Sequence, residues 1–334
     1  MDQRAILKER IRVCQPQDFE DLALDVFAFQ AGSNPVYRRF LDLLHIVPAE
    51  VKELESIPFL PISAFKSHLV QTLEWTPQMV FRSSGTTGAE PSRHAVREPE
   101  WYLEQARRGF AQCYGQPSEY CFFALLPSYL ERANSSLVLM AEDFIRESRY
   151  EQSGFFLHEH EKLRNLLHAN HAAQIPTVLI GVSFALLDLI EDVPVPFPEL
   201  IVMETGGMKG RREEMTREDL HHRLKAGFGV EAIHSEYGMT ELLSQAYSKG
   251  EGLFFSAPAM RVVLRDLYDP FAQPGPGQTG AINVMDLANL DTVSFIATDD
   301  LGKEHPGGGF QVLGRLDNSD LRGCNLLLGE VHPV

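Results

Sequence analysis

Short apolar runs alternate with helical patterns through the middle of the chain, and this alternation limits the fold more than any other feature. Residues 121–126, 177–181 and 200–203 each have the length and composition of a buried strand, and residues 231–234 predict a fourth. Segments with helical spacing separate these runs. Strands that alternate with helices predict an α/β domain with a largely parallel sheet flanked by helices.

Helical spacing of apolar residues predicts helices over residues 99–115, 135–146 and 212–226. Gly227 follows the last of these directly. Glycine adopts the left-handed conformation that commonly ends a helix, so we expect Gly227 to end this one.

The character of the sequence changes twice along the chain. Residues 1–56 are mostly helical in pattern and predict a lead-in that packs on the main domain. Residues 57–251 carry the α/β pattern. Residues 252–334 have short apolar runs between Pro, Gly and Asp turns, which predicts a smaller, mainly antiparallel β part that ends in a short C-terminal segment.

Charge and cysteine content restrict the partners and the compartment. The chain has 30 Lys and Arg against 46 Asp and Glu, a net charge of −16, which argues against nucleic acid or an anionic membrane as the main partner. It has no apolar run of bilayer length, and its first residues lack a signal-peptide pattern. Four scattered cysteines without a CxxC pair indicate free thiols, so we expect a cytoplasmic protein.

A segment rich in hydroxyl side chains and glycine lies at residues 81–88, Phe-Arg-Ser-Ser-Gly-Thr-Thr-Gly. Glycine lets a backbone turn tightly and come close to a ligand, and consecutive N–H groups and hydroxyls can surround the oxygens of an anion. A Walker loop needs Lys after its last glycine, and here Ala89 follows Gly88. The segment is therefore a candidate phosphate-binding loop of another type.

Further glycine-rich and acidic segments fall at the expected carboxyl ends of strands or in the β part. They are residues 204–207 (Glu-Thr-Gly-Gly), 237–241 (Tyr-Gly-Met-Thr-Glu), 298–300 (Thr-Asp-Asp) and 314–315 (Gly-Arg). Ligands bind at the carboxyl ends of strands in α/β sheets. Each segment alone is a weak signal, and their order and spacing together are far more specific.

This combination resembles the adenylate-forming superfamily, which includes acyl-CoA synthetases, peptide-synthetase adenylation domains and luciferases. Residues 83–88 match its phosphate loop, 237–241 its YGxTE motif, 298–300 its TGD motif and 314–315 its GR motif. The finer pattern is similar to the fatty-acyl–protein synthetase of bacterial bioluminescence. The features that suggest it are Phe65-Lys66, residues 204–210 and the ending at 321–326. The resemblance implies the N-terminal domain fold of that superfamily with a smaller β subdomain.

The resemblance also implies two cofactors, ATP and Mg²⁺, and a role for each motif residue. Charge on phosphoryl oxygens must be stabilised by metal, donors and cations. Glu241 would bind Mg²⁺, Thr240 would touch the α-phosphate, and Asp300 and Arg315 would hold the ribose hydroxyls. Tyr237 would stack on the adenine, opposite Gly206 and Gly207. The residues implied for the β- and γ-phosphates are Ser84, Gly85, Thr86, Thr87 and Gly88.

Two departures from the superfamily pattern affect the predicted chemistry. Asp299 stands where the superfamily usually has glycine. The chain stops soon after Arg315, so we expect the C-terminal lid domain and its catalytic lysine to be absent; Lys66 is a candidate substitute. Cys324 follows Arg322, a cation that favours the reactive thiolate. Cys324 is thus the candidate acceptor of an acyl group, and a cysteine that only fills a core is the alternative.

The sequence therefore predicts an ATP-dependent acyl–protein synthetase that activates a carboxylic acid, a fatty acid by resemblance, and passes it to a protein cysteine. Two alternatives stay open. One is an acyl-CoA or acyl-carrier ligase acting in trans; the other is a catalytically weak nucleotide-binding subunit of an acyl-reductase or biosynthetic complex. Candidate partners are an acyl reductase, an acyltransferase or a carrier protein, without nucleic acid and without membrane insertion.

Overall fold

The structure is a computed structural model that describes residues 2–83, 90–126, 134–191, 193–206 and 215–316. The α-helices in these ranges are α1 (Gln3–Val13), α2 (Phe19–Ser33), α3 (Pro35–Leu43), α4 (Ala64–Ser67), α5 (Pro99–Tyr114), α6 (Ser136–Glu147), α7 (His160–Ala172), α8 (Ser183–Ile190) and α9 (Arg217–Phe228). None of these described helices has the length and apolar character needed to cross a bilayer.

Short strands make up most of the remaining regular structure. They are β1 (Leu60–Pro61), β2 (Met79–Arg82), β3 (Arg93–Val96), β4 (Cys121–Leu125), β5 (Gly154–Phe155), β6 (Thr177–Gly181), β7 (Ile201–Thr205), β8 (His234–Tyr237), β9 (Ala246–Ser248), β10 (Leu253–Ser256), β11 (Met260–Arg265), β12 (Gly280–Asp286), β13 (Phe295–Glu304) and β14 (Phe310–Arg315).

The chain divides into two compact units. Unit one comprises Met1–Gln105, Met239–Ser244 and Ser256–Val334, and unit two comprises Ala106–Gly238 and Gln245–Phe255. The three-domain division expected from the sequence stays a prediction.

Unit two is built on a sheet with the strand order β10-β9-β8-β7-β6-β4-β5. Strands β8, β7, β6, β4 and β5 pair in parallel in that order, and β9 is antiparallel to β8. The residues of β4 and β6 are all buried, as the continuous apolar runs predicted. This arrangement confirms the expected α/β fold with a largely parallel sheet.

Helix α9 ends later than the sequence predicted. Gly229 adopts the left-handed conformation, with φ of 67°, and its N–H donates to the carbonyl of Lys225. The prediction that Gly227 would end the helix was wrong. A Cβ on Gly227 would lie 2.3 Å from Cδ1 of Ile190, so this glycine instead allows α8 and α9 to pack closely.

Strand β8 is displaced from its predicted position at residues 231–234. It spans His234–Tyr237, where Ser235 pairs with Glu204 and Glu236 pairs with Thr205 of β7. The apolar pattern pointed to the earlier residues. The polar side chains of Ser235 and Glu236 instead find hydrogen-bond partners on β7, and this stabilises the strand beyond its apolar part.

Unit one contains an antiparallel sheet and a separate hairpin. Strands β11, β12, β13 and β14 pair in that order, and β1 lies parallel to β13. Strands β2 and β3 form a second, two-stranded antiparallel sheet. The expectation of a mainly antiparallel β part near the end of the chain is confirmed.

The N-terminal helices pack on the β strands of unit one. Asn34 caps α3 by accepting from the N–H of Tyr37, and Pro35 occupies the first turn, where no N–H is needed. The rings of Phe27 and Tyr37 contact Phe295 of β13. The buried side chain of Gln30 donates to the carbonyls of the turn that precedes β13 and accepts from its backbone. The helical lead-in therefore shares a core with the antiparallel sheet.

Candidate active site

The predicted phosphate loop joins β2 to β3. Ser84, Gly85, Thr86, Thr87 and Gly88 lie outside the described residues. At the base of this connection, the N–H of Ser83 donates to the carbonyl of Ser92 at 3.2 Å, and the N–H of Ser92 donates to Oγ of Ser83 at 2.9 Å. The hairpin therefore fixes both points from which the predicted loop extends.

Glu241 lies beside the base of that hairpin. Its side chain is buried, and the hydroxyl of Ser92 donates a hydrogen bond to its carboxylate. Burial raises the pKa of Glu241, while the hydrogen bond from Ser92 and the positive charges of Arg315 and Lys66 oppose that rise. Three predicted site residues of unit one, Lys66, Glu241 and Arg315, are thus close enough for the two cations to affect the pKa of the carboxylate.

The backbone around Glu241 is held by a buried histidine that the motif analysis did not single out. Nδ1 of His94 donates to the carbonyl of Thr240 at 2.8 Å, and Nε2 lies 3.1 Å from Oγ1 of Thr292. With Nδ1 donating to a carbonyl, the neutral ring accepts at Nε2 from the Thr292 hydroxyl. The rings of Phe65 and Phe81 contact His94 at their edges. Burial lowers the pKa of His94 to about 4, so the ring is neutral near pH 7.

Two more buried polar residues, also missed by the sequence analysis, hold the segment after Thr240. Nδ2 of Asn289 donates to the carbonyl of Glu241 at 2.8 Å. Oδ2 of Asp286 accepts from the N–H groups of Leu243 and Ser244, at 2.7 and 2.9 Å. No local pattern identifies these residues, because their partners are backbone groups about 40 residues away in the sequence. These buried hydrogen bonds fix the backbone position of Glu241.

Asp300 and Arg315 lie directly opposite each other on β13 and β14. Nε of Arg315 donates to Oδ1 of Asp300 at 3.2 Å. The Asp300 side chain is 10% exposed and the Arg315 side chain is 74% exposed. A buried carboxylate with an exposed guanidinium beside it offers an acceptor and several donors to a polyhydroxyl ligand. The structure therefore brings this predicted pair together.

Gly206 and Tyr237 lie where two adjacent parallel strands of unit two end. Gly206 comes directly after β7 with φ of 71°, a conformation that favours glycine. Tyr237 is the last residue of β8, and its ring lies 6.0 Å from that of Phe254. Both positions are at the carboxyl edge of the sheet, where α/β folds bind ligands. Gly207 lies outside the described residues.

The residue types present fit a magnesium ion. Mg²⁺ prefers hard oxygen ligands and is commonly held by one or two carboxylates together with substrate phosphates. Glu241 supplies such a carboxylate. The described part of the chain assembles no group of three or more His, Cys, Asp or Glu side chains that could hold a metal ion.

Cys324, the predicted acyl acceptor, lies outside the described residues. The described cysteines are Cys14, Cys113 and Cys121, all free thiols. Burial raises the pKa of Cys113 and of Cys121, which disfavours the reactive thiolate.

Several solved structures share this fold. A 2-hydroxyisobutyryl-CoA ligase in an open conformation, in complex with 2-HIB-AMP and CoA, is similar with a TM-score of 0.66 at 14% identity, over 94% of this chain and 79% of that chain. ATP-bound MatB from Rhodopseudomonas palustris is similar with a TM-score of 0.53 at 18% identity, over 73% of this chain and 50% of that chain.

A third similar structure is the O-succinylbenzoate coenzyme A synthetase MenE from Bacillus subtilis, in complex with AMP. Its TM-score is 0.50 at 17% identity, over 72% of this chain and 50% of that chain. The matched region thus spans about half the length of MatB and of MenE. No protein-family model matches the sequence, and no curated protein matches it. At these identities the comparisons establish the fold.

Proposed function

We propose that the protein activates a carboxylic acid with ATP, forming an acyl-adenylate and pyrophosphate. The observation that carries this proposal is the environment of Glu241: a buried carboxylate that accepts from Ser92 at the base of the predicted phosphate loop, with Lys66 and Arg315 close enough to affect its charge. Structures with the same fold contain ATP, AMP or the acyl-adenylate 2-HIB-AMP, which supports this assignment.

In the first step, a carboxylate oxygen of the acid attacks the α-phosphorus of ATP. The bond from that phosphorus to the bridging oxygen breaks, and pyrophosphate leaves with the electron pair. Bound Mg²⁺ would neutralise charge on the phosphoryl oxygens. Glu241 would hold that ion, and Thr240 would donate to an α-phosphate oxygen. Lys66 would supply positive charge in the same neighbourhood.

The remaining predicted residues bind the nucleotide in this proposal. Asp300 accepts from the ribose hydroxyls, and Arg315 donates to them. In unit two, Tyr237 and Gly206 contact the adenine, together with Gly207. The residues that hold the β- and γ-phosphates are Ser84, Gly85, Thr86, Thr87 and Gly88.

In the second step, a thiolate attacks the acyl carbon and AMP leaves. The sequence resemblance supports a fatty acid as substrate and a protein cysteine as acceptor, with Cys324 as the candidate. One similar structure is a CoA ligase in complex with CoA and another is a coenzyme A synthetase, and this favours CoA as the alternative acceptor.

Acid-dependent exchange of labelled pyrophosphate into ATP tests the first step. We expect exchange with at least one acid and a much slower exchange in Glu241→Gln at low Mg²⁺ concentration. Glu53→Gln, the same substitution at an exposed position of unit one, is the matched control. Absence of exchange across a broad acid panel, together with no ATP binding in calorimetry, would leave only a non-catalytic role.

A further inference from the structure

Glu236 is a carboxylate at the carboxyl edge of the unit-two sheet that the predicted reaction does not use. It is half-buried at the end of β8, one residue before Tyr237. Oγ1 of Thr205 donates to its Oε2 at 2.9 Å. Among the described residues, its Oε1 has no hydrogen-bond partner. One oxygen is therefore held, and the other is unpaired within the described part of the chain.

Gly238 leaves the space that this carboxylate occupies. A Cβ at Gly238 would lie 2.3 Å from Oε1 of Glu236. Gly238 does not belong to the described glycines with positive φ, so space is the reason for glycine here. Oε1 of Glu236 therefore lies above the backbone of Gly238.

Gln245, whose Cγ lies near Gly238, supplies a second unpaired acceptor, which is buried. Its side chain is 3% exposed, and its Oε1 has no hydrogen-bond partner in the described structure. Its Cγ lies 3.5 Å from the same Cβ position on Gly238. Gln245 is two residues before Tyr247, which pairs with Glu236, so side-chain alternation puts Gln245 and Glu236 on one face of the sheet. Leaving such a buried acceptor unpaired costs free energy.

Glu204 lies on the opposite face and does not satisfy this site. Its two oxygens accept from Ser235 at 2.9 Å and from Ser183 at 3.3 Å. Glu236 has no such set of donors, and within the described ranges it pairs with no Lys or Arg. Burial raises the pKa of Glu236 to about 7, and the charge of Glu204 adds to that rise. A cationic ligand would relieve this unfavourable burial of negative charge.

We propose that Glu236 and Gln245 bind the ammonium group of an amino-substituted carboxylic acid, the substrate that the protein would activate. An ammonium group has three donors and no acceptor, which matches two unpaired acceptor oxygens, whereas a hydroxyl has a single donor. The charge-assisted bond to Glu236 supplies the selectivity. This inference rests on the proposed function and narrows the acid from an unsubstituted fatty acid to one that carries an amine.

Matched acids test the inference. Caproic and lauric acid are each compared unsubstituted, with an α-amino group, with a terminal amino group and with a terminal hydroxyl group, in pyrophosphate exchange. We expect kcat/KM for at least one of the amino-substituted acids to exceed that of its unsubstituted counterpart by about 10- to 100-fold. This is the scale of one charge-assisted hydrogen bond. Preference for an unsubstituted or hydroxylated acid would overturn the inference and leave the proposed function intact.

Variants then connect the preference to the site. Glu236→Gln keeps the shape and removes the charge, and should abolish the amine preference while the unsubstituted acid keeps its rate. Glu231→Gln, at an exposed position just before the same strand, should change neither. Thr205→Val removes the hydroxyl that orients Glu236 and should reduce the preference, which provides a second test if Glu236→Gln does not fold. Equal loss for all acids in both variants would contradict the inference.

If no acid supports exchange, a binding measurement separates failure of the ammonium site from failure of the proposed adenylation. The same acids are titrated into the protein by calorimetry without ATP. Binding of an amino acid that is lost in Glu236→Gln would support the ammonium site even though adenylation had failed. Absence of binding by every amino acid would overturn it.

Discussion

The Nε of Arg315 donates to Oδ1 of Asp300 across two antiparallel strands at 3.2 Å, and the two residues face each other in the strand register. The N–H of Asp300 also donates to Oγ1 of Thr298, which fixes the strand at this point. Arg315 is mostly exposed, so this ion pair adds little stability by itself. The pairing instead orients a buried acceptor beside an exposed donor.

Asp300→Ala should weaken ATP binding by about 1–3 kcal/mol, because hydrogen bonds from the ribose hydroxyls to a charged acceptor are lost. Calorimetric titration of ATP measures the change. Asp299→Ala is the matched control, because the side chain of Asp299 points to the face of β13 opposite to that of Asp300. Equal affinity of wild type and Asp300→Ala would contradict the ribose role.

Glu241→Gln should raise the Mg²⁺ concentration needed for half-maximal exchange by at least about 10-fold, because a neutral amide is a much weaker ligand for this ion. The measurement is a magnesium titration of pyrophosphate exchange at fixed ATP. Ser92→Ala should have a smaller effect in the same direction, since it removes one hydrogen bond to the carboxylate. A magnesium dependence that is unchanged in Glu241→Gln would remove this residue from the metal site.

His94 should make the protein less stable in mild acid. Its folded-state pKa of about 4 lies below the ordinary value of 6.5, so the unfolded chain binds the proton first. The contribution of His94 to the free energy of unfolding is complete above about pH 6.5, and it falls by up to about 3 kcal/mol as the pH drops to 4. Urea unfolding at several pH values measures it.

The control for that experiment is His94→Gln, which cannot titrate. His234 also has a pKa lowered to about 4, mainly by burial, and contributes in both proteins. The difference between the two stability curves therefore isolates His94. Parallel curves for wild type and His94→Gln between pH 7 and about pH 5 would show that the ring takes up its proton as readily in the folded protein as in the unfolded chain, and would contradict the lowered pKa.

The parts of the fold that were predictable are those with a local pattern. The buried strands β4 and β6 follow from their apolar runs, and the antiparallel part follows from its turns. The end of α9 was predicted wrongly, because Gly227 and Gly229 look alike in sequence. Contact with Ile190 requires the first glycine, and a left-handed backbone requires the second.

The candidate site divides in the same way. Asp300, Arg315 and Glu241 stand in short motifs, so the sequence alone offers them as candidates. His94 could not, because its partners Thr240 and Thr292 lie 146 and 198 residues away along the chain. Long-range contacts of this kind leave no periodic or motif signal and require the folded structure.

Binding of the amino-substituted acid should strengthen as the pH rises through about 7. The ionised form of Glu236 is the one that pairs with an ammonium group, and burial keeps part of the population protonated near neutrality. We expect KM for the amino acid to fall between pH 6 and about pH 8 and then to level off. Glu236→Gln should lose this dependence, and a flat profile in wild type would exclude Glu236 as the titrating group.

Cys324→Ser should abolish stable labelling of the polypeptide by a radioactive acid in the presence of ATP, while pyrophosphate exchange continues. The acid is activated before the thiol attacks, so removing the acceptor affects only the second step. The label should be a thioester and should be released by neutral hydroxylamine. Cys113→Ser serves as the control, because burial raises the pKa of the Cys113 thiol and disfavours its thiolate.

Labelling that persists in Cys324→Ser would exclude this cysteine as acceptor. If neither protein is labelled but both produce an acyl-thioester with added CoA, the acceptor is a thiol supplied in trans.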